Sequence, residues 1–421
     1  QTYLSKAQAA GAENVSRYAA EGYLMAATGQ PQQAADQIRS WINDGKAAPP
    51  VAHALAVALL DSGNYQEANR IARQAREADF SNIAIRMTMA ESNHHAGSEK
   101  EAIKDLSGVV RNNLNPEHML AKAWLAALRA KNYGSLTKPV NLLNEVKEAN
   151  QDELGPRTKA FITWAEGELS LALGNADGAI EKADAAIGQI AEYGPFHDLK
   201  ARALLAQGKA PEAVSAYEKA ISTEPVFRGF KWDLARLKSQ MNDDSALALV
   251  EELEKSDTSK YKGPDYLVFK AEHALRKGNL EEAMELYKQA AEEGDSADIL
   301  FGIAKVTFEE EKKKDKKADL ERVGAAFQET LDKKKRYPEV HEYLAGISMW
   351  NFLVDGAHGE LLQAEKQYKA LKKPIPEIVG FYNRAIDTFT NAESKLRREA
   401  SKYAQEWERK KADYLQSLQN S

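Results

Sequence analysis

Along most of the chain, apolar residues recur every three or four positions, in short stretches separated by brief polar turns. That spacing is helical, because residues three and four apart share one face of an α-helix. No stretch reads convincingly as a strand. In "GKAPEAVSAYEKAISTEP", Gly208 to Pro225, the residues Ala213, Tyr217 and Ala220 fall on one face behind a glycine turn. The pattern predicts a turn followed by an amphipathic helix.

The same pattern returns along the sequence. Gly29 is followed five positions later by Ala34, Gly63 by Ala68, Gly97 by Ala102, Gly174 by Ala179, Gly208 by Ala213 and Gly278 by Ala283. Gly29, Gly63 and Gly97 lie 34 residues apart, as do Gly174 and Gly208. Two degenerate copies fill the gaps, one with Lys131 in the glycine slot and one turning at Met241 or Asn242. Glycine in that slot ends a helix cheaply, because it takes a left-handed backbone that other residues resist. Small residues at fixed places let two helices cross closely. A hairpin with a bare apolar face must then stack on a neighbour.

A fixed 34-residue period resembles the tetratricopeptide repeat, over about residues 14–294. The helix-A small position of that family matches Gly22, Ala56, Ala90, Gly167, Ala201 and Ala271, and the alanines above match its helix-B position. Tyr217 and Tyr287 match the aromatic position, Ala75, Ala186, Ala220 and Ala290 the next small one, and Pro225 the closing proline. Trp124 stands where helix A wants a small residue, so the fourth unit is expected to pack irregularly. The resemblance implies an all-α fold: a right-handed superhelix of about eight repeats whose A helices line a concave groove. Counting back ten and six residues from each turn then places Tyr23, His53, Met87, Glu91, Trp164, Glu168, Arg202 and Glu272 in the groove, with Trp232 and Arg236 if the seventh turn is at Asn242. The lysine and asparagine clamp with which some members hold acidic C-terminal tails is absent. Trp164, Arg202, Trp232 and Arg236 suggest instead a mixed aromatic and cationic groove for an extended or helical peptide segment, since Trp and Arg are enriched at interface hot spots.

The ruler slips in two places. Nine surplus residues around "KEANQDELGPRTK" predict a longer helix B and a loop ended by Gly155-Pro156. After about residue 295 the period fails, and longer helical hairpins follow to residue 373, one turning at Asp355-Gly356. The charged run Glu309–Lys317 reads as a solvated tip. Beyond Pro374 and Pro376, apolar positions from Ile378 to Leu418 predict one amphipathic helix of about 40 residues, roughly 60 Å long. It would either pack on the array or project towards a partner, self-association included. The expected divisions are thus 1–294, 295–373 and 374–421.

Composition narrows the chemistry. The 421 residues include 43% hydrophobic ones, as in a folded protein, and carry a net charge of −6, which argues against nucleic acid as the main ligand. No polybasic patch stands out. With no cysteine, thiolate and cysteine-zinc chemistry are excluded. No run is apolar and long enough to span a bilayer. No phosphate-binding glycine loop and no zinc-protease motif occurs. His94 and His95 are adjacent and point about 100° apart on a helix, so they do not ligate as a pair. The reading is therefore a non-catalytic scaffold for a protein or peptide partner, with no cofactor and no metal. Its alternatives are a helical-superhelix enzyme acting on cell-wall glycan and a peptide or small-molecule receptor. Gln1 in place of methionine suggests a removed leader, lipid-bearing or otherwise. It places the protein in the periplasm or at the outer membrane of a bacterial envelope, with the cytoplasm as alternative.

Overall fold

The computed structural model describes residues 14–41, 48–111, 117–132, 135–224, 227–256, 264–314, 318–392, 394 and 396–419. These residues form helices throughout, paired into eleven successive hairpins, with no strand among them. The first three hairpins are α1 (Asn14–Ala27) with α2 (Pro31–Trp41), α3 (Pro49–Asp61) with α4 (Tyr65–Ala78), and α5 (Ile83–His95) with α6 (Glu99–Val110). The next three are α7 (Glu117–Asn132) with α8 (Thr137–Lys147), α9 (Pro156–Ala172) with α10 (Ala176–Gln189), and α11 (Gly194–Ala206) with α12 (Ala210–Thr223). Then come α13 (Arg228–Gln240) with α14 (Ser245–Ser256), α15 (Pro264–Arg276) with α16 (Leu280–Glu293), and α17 (Ala297–Lys313) with α18 (Leu320–Lys333). The last two are α19 (Pro338–Trp350) with α20 (Val354–Ala370), and α21 (Ile375–Thr390) with α22 (Arg397–Gln419).

The turn glycines do what the period requires. Gly29, Gly63, Gly97, Gly174, Gly208 and Gly278 all have φ between 75° and 82°. At Gly63 the next amide, Asn64 N–H, reaches back to Leu59 O at 2.8 Å, satisfying a carbonyl that the helix end leaves bare. Asn242 holds the same left-handed conformation at φ 59°, which settles the seventh turn in favour of Asn242 over Met241. The small positions are closed contacts. A Cβ on Gly22 would lie 2.5 Å from Ile38, and one on Gly167 would lie 2.6 Å from Leu199. The paired alanines of helix B are fully buried.

Four expectations need correction. Lys131 lies inside α7, which continues to Asn132. Helix α8 is short, with 11 residues, so the surplus before the fifth hairpin sits in the connection, including a 3-10 turn at Gln151–Glu153, and in the longer α9. Asp355 and Gly356 belong to the first turn of α20; the turn residue is Phe352, at φ 60°. The long C-terminal helix is broken after Thr390. Its two halves fold onto each other, with Trp407 against Phe381 at 5.6 Å and Tyr403 against Phe389 at 5.4 Å. A straight rod would leave those rings in water, and the hairpin buries them. Pro225 and residues 315–317 of the charged run lie outside the described residues.

Two features position the inner face. First, Trp124 is completely buried, and α7 packs directly along α9, so the fourth unit does depart from the regular stacking. Second, the last hairpin returns to the middle of the array: α21 touches α9, and Ile375 and Leu418 join the core built on Trp124, Phe161 and Trp164. Hairpin stacking also runs on past residue 294. Tyr287 of α16 lies against Gly302 of α17, where a Cβ would sit 2.1 Å from the ring.

Candidate functional site: the inner face of the array

Three different environments line the inner face. In the first hairpins the polar side chains are spent on one another. Tyr23 Oη donates to His53 Nδ1 at 2.6 Å, and His53 Nε2 lies 2.9 Å from Thr88 Oγ1, which itself donates to Ala84 O. The chain of donors works with a neutral imidazole protonated at Nε2. Burial agrees, lowering the His53 pKa to about 4 and raising that of Tyr23 to about 12. Met87 is half-buried against the central core.

The middle of the array is closed. Trp164 is only 1% exposed and donates its indole N–H to Glu168 at 3.0 Å. Arg202 grips Glu168 through both terminal nitrogens, at 2.5 and 3.1 Å, and Asp198 through Nε at 3.0 Å. Lys131 adds contacts to Glu99 at 3.0 Å and to Asp198 at 3.4 Å. Burial opposes charge on Lys131, but Asp198 and Glu99 outweigh it and hold its pKa above the usual value. Burial likewise opposes charge on Glu99, yet Lys131 brings its pKa down to about 2. Glu91 pairs with Arg157 at 2.5 Å.

This centre is sealed by contacts between distant parts of the chain. His95, at the end of α5, meets Glu224, just after α12, at 2.9 Å. The Gly194 amide donates to the other oxygen of Glu224 at 2.8 Å. His94 is buried among the rings of Trp124, Trp164 and Phe227, with centroids 5.5 to 6.4 Å away, and neither ring nitrogen has a partner. Trp164 and Glu168 are therefore interior and Arg202 is half-buried and fully engaged by Glu168 and Asp198, so among the described residues no single groove joins them to Trp232 and Arg236. The large rings that promised a sticky wall are consumed in packing hairpins three to seven together.

The open part lies on α13, α15 and α17. Trp232 lies 5.3 Å from Phe269 with the rings tilted by 50°, and the Arg236 guanidinium lies 5.4 Å from the Trp232 ring centre. With Val268, Glu272 and Ile299 they line a pocket of about 360 Å³. Arg236 is 59% exposed at its side chain; Glu272 is held by Lys305 at 3.2 Å and Arg276 at 3.7 Å. Three of the ten expected residues thus share one accessible cleft. Phe269, Asp298 and Ile299 were missed, the last two because the 34-residue ruler stops at α16.

The tetratricopeptide-repeat profile matches residues 49–74, 199–237 and 242–298, over hairpins that turn through the same left-handed residue. These stretches are tetratricopeptide repeats, which supports an assignment to the tetratricopeptide-repeat superfamily. No curated protein matches its sequence. Among solved structures, the human IFIT1 dimer with m7Gppp-AAAA is 16% identical, with a TM-score of 0.49, covering 86% of this chain and 84% of that one. Yeast Tom70 is 12% identical at a TM-score of 0.38, covering 92% and 99%. A tetratricopeptide repeat protein from Parabacteroides merdae is 16% identical at 0.35, covering 69% and 98%. The assignment stands on the repeat itself.

The tetratricopeptide repeats support a role as a protein-interaction scaffold. Among the described residues no helix is long and apolar enough to cross a membrane, and no cluster of three metal-ligating side chains occurs. One constellation in the array resembles a hydrolytic triad: Ser239 Oγ lies 2.9 Å from His273 Nδ1, and His273 Nε2 lies 3.0 Å from Asp244 Oδ1. It cannot attack a substrate. Ser239 is fully buried, and its oxygen already accepts from Arg276 at 2.8 Å. Asp244 is shared with Lys277, whose hydrogen bond, ahead of that of His273, lowers its pKa. The three residues stitch hairpin seven to hairpin eight.

Proposed function

We propose that the chain is a non-catalytic scaffold that seats a segment of a partner protein, extended or helical, across the A helices of hairpins seven to nine. The observation that carries this reading is the accessible cleft of Trp232, Arg236, Val268 and Glu272, on the face whose middle is otherwise filled. An aromatic floor with a cation over it and a carboxylate beside it offers apolar burial together with direction. The C-terminal hairpin is not needed as a docking arm in this reading, because Trp407 and Tyr403 are buried within the chain.

Site-specific photo-cross-linking in the source cell tests it. A photoreactive side chain at Val268 should capture a discrete partner, and Trp232→Ala should reduce the yield about tenfold. A probe at Lys219, on the exposed side of α12, should not capture it. Equal capture from both positions, or a yield indifferent to Trp232→Ala, would end the assignment.

A further inference from the structure

A second surface lies far from the cleft, where α4, α5 and α6 meet. Phe80, in the connection between α4 and α5, is 68% exposed. Two guanidinium groups lie over its ring, Arg76 at 4.7 Å and Arg86 at 5.2 Å. Arg73, one turn before Arg76, donates to Asn69 at 2.7 Å, and Arg111 follows the end of α6. Among the described residues none of these four arginines forms an ion pair with a carboxylate. One carboxylate, Asp105, faces Arg73, Arg76 and Arg86, and it is buried and already accepts from Asn93 at 2.9 Å.

The arrangement is held in place. Gly108 on α6 leaves the space that the Arg86 guanidinium fills, and a Cβ there would sit 2.1 Å from Nη1. Arg76 Nε is buried without a hydrogen-bond partner. Burial, and then the neighbouring charges of Arg76 and Arg111, lowers the pKa of Arg86, with Asp105 opposing them. In a chain of net charge −6 this concentration stands out, and it is hidden in sequence because the four residues come from α4, α5 and the residue just after α6.

We infer that the Arg73, Arg76, Arg86 and Arg111 surface around Phe80 is a second docking site, and that it takes an acidic peptide segment of a partner protein, with an apolar side chain set against the exposed edge of Phe80. Arginine forks suit carboxylates, which they can grip two-point. Four cations are a small footprint for nucleic acid, and the guanidiniums over Phe80 occupy the stacking positions a base would need. A lone exposed ring is also a poor membrane anchor, since interfacial binding draws on a broad apolar face.

The test is fluorescence anisotropy on the full chain with a labelled probe peptide, Glu-Glu-Leu-Glu-Glu-Leu. Binding should weaken steeply with salt, and Arg76→Gln with Arg86→Gln should lose at least about tenfold in affinity. Phe80→Ala, at an exposed position, and Gly108→Ala, which displaces only the flexible end of Arg86, should each weaken the probe while thermal melts stay unchanged. Trp232→Ala should leave it intact, separating this site from the cleft. No binding at millimolar peptide, affinity indifferent to the double variant, or tighter binding of a single-stranded oligonucleotide or phosphatidylserine vesicles would overturn the proposal.

Discussion

Trp164 and Trp232 stand at the same position of the repeat, ten residues before a left-handed turn, yet one is sealed and the other lines an open cleft. The difference lies in what faces them. Across from Trp164 come His94, Phe227 and the salt-bridged pair His95–Glu224, brought there by the curvature of hairpins three to seven. Around Trp232 the described residues include Phe269, from the adjoining hairpin, and the Arg236 guanidinium, and together they line an open cleft. Register alone therefore tells which way a side chain points, and not whether the space it points into is empty.

The largest effects should fall on the closed side. Trp164→Ala should cost about 3–5 kcal/mol, by loss of burial and by the cavity left behind, whereas Trp232→Ala should cost less than half of that. Urea denaturation of both variants checks this, and equal losses would erase the distinction. Next comes the ion pair. Arg202→Ala strands Glu168 and Asp198 in the interior and should cost about 3–5 kcal/mol, while Arg236→Ala on the open side should stay within about 0.5 kcal/mol.

Acid should also find the closed side first. Burial, then the neighbouring charge of His95, lowers the His94 pKa from 6.5 to about 4. Glu99 and Glu224 pull it up and Lys131 pushes it down further. Its folded value lies below its unfolded one, so the unfolded chain takes up the proton first. The stability that neutral His94 confers is complete above about pH 6.5 and falls as pH drops towards 4, by up to about 3 kcal/mol. Asp233 runs the other way. Burial pushes it up to about 6, so it favours the folded state as pH falls from there towards 3.8. The measurement is therefore a difference: chemical denaturation between pH 7 and 4.5, with His94→Gln showing a shallower loss than the wild type. The smallest effect should come from the turn outside both regions. Phe352→Gly relieves a left-handed backbone at a bulky exposed residue and should raise stability by about 1 kcal/mol in a thermal melt.

The sequence made the repeat legible because the repeat is local. A glycine that must turn left, and an alanine that must admit a neighbouring helix, are constrained by residues within one or two hairpins, so their spacing survives in the letters. Trp124 gave away the odd fourth unit by the same logic. The closed centre left no such trace. His95 and Glu224 are 129 positions apart, and Lys131 and Asp198 are 67 apart; each reads as an ordinary polar residue on an ordinary helix. The C-terminal rod failed for a related reason. Its apolar stripe was read correctly, but a stripe does not say whether it meets another element or doubles back on itself.

The seat of the last hairpin on α9 changes how such a chain should come apart. An array joined only through nearest neighbours frays from its ends, one unit at a time. Here Ile375 and Leu418 rest on the midpoint, so lifting the tail uncovers the interior some two hundred positions upstream. Shortening the protein from that side would act less like trimming a rope than like pulling the pin from a hinge.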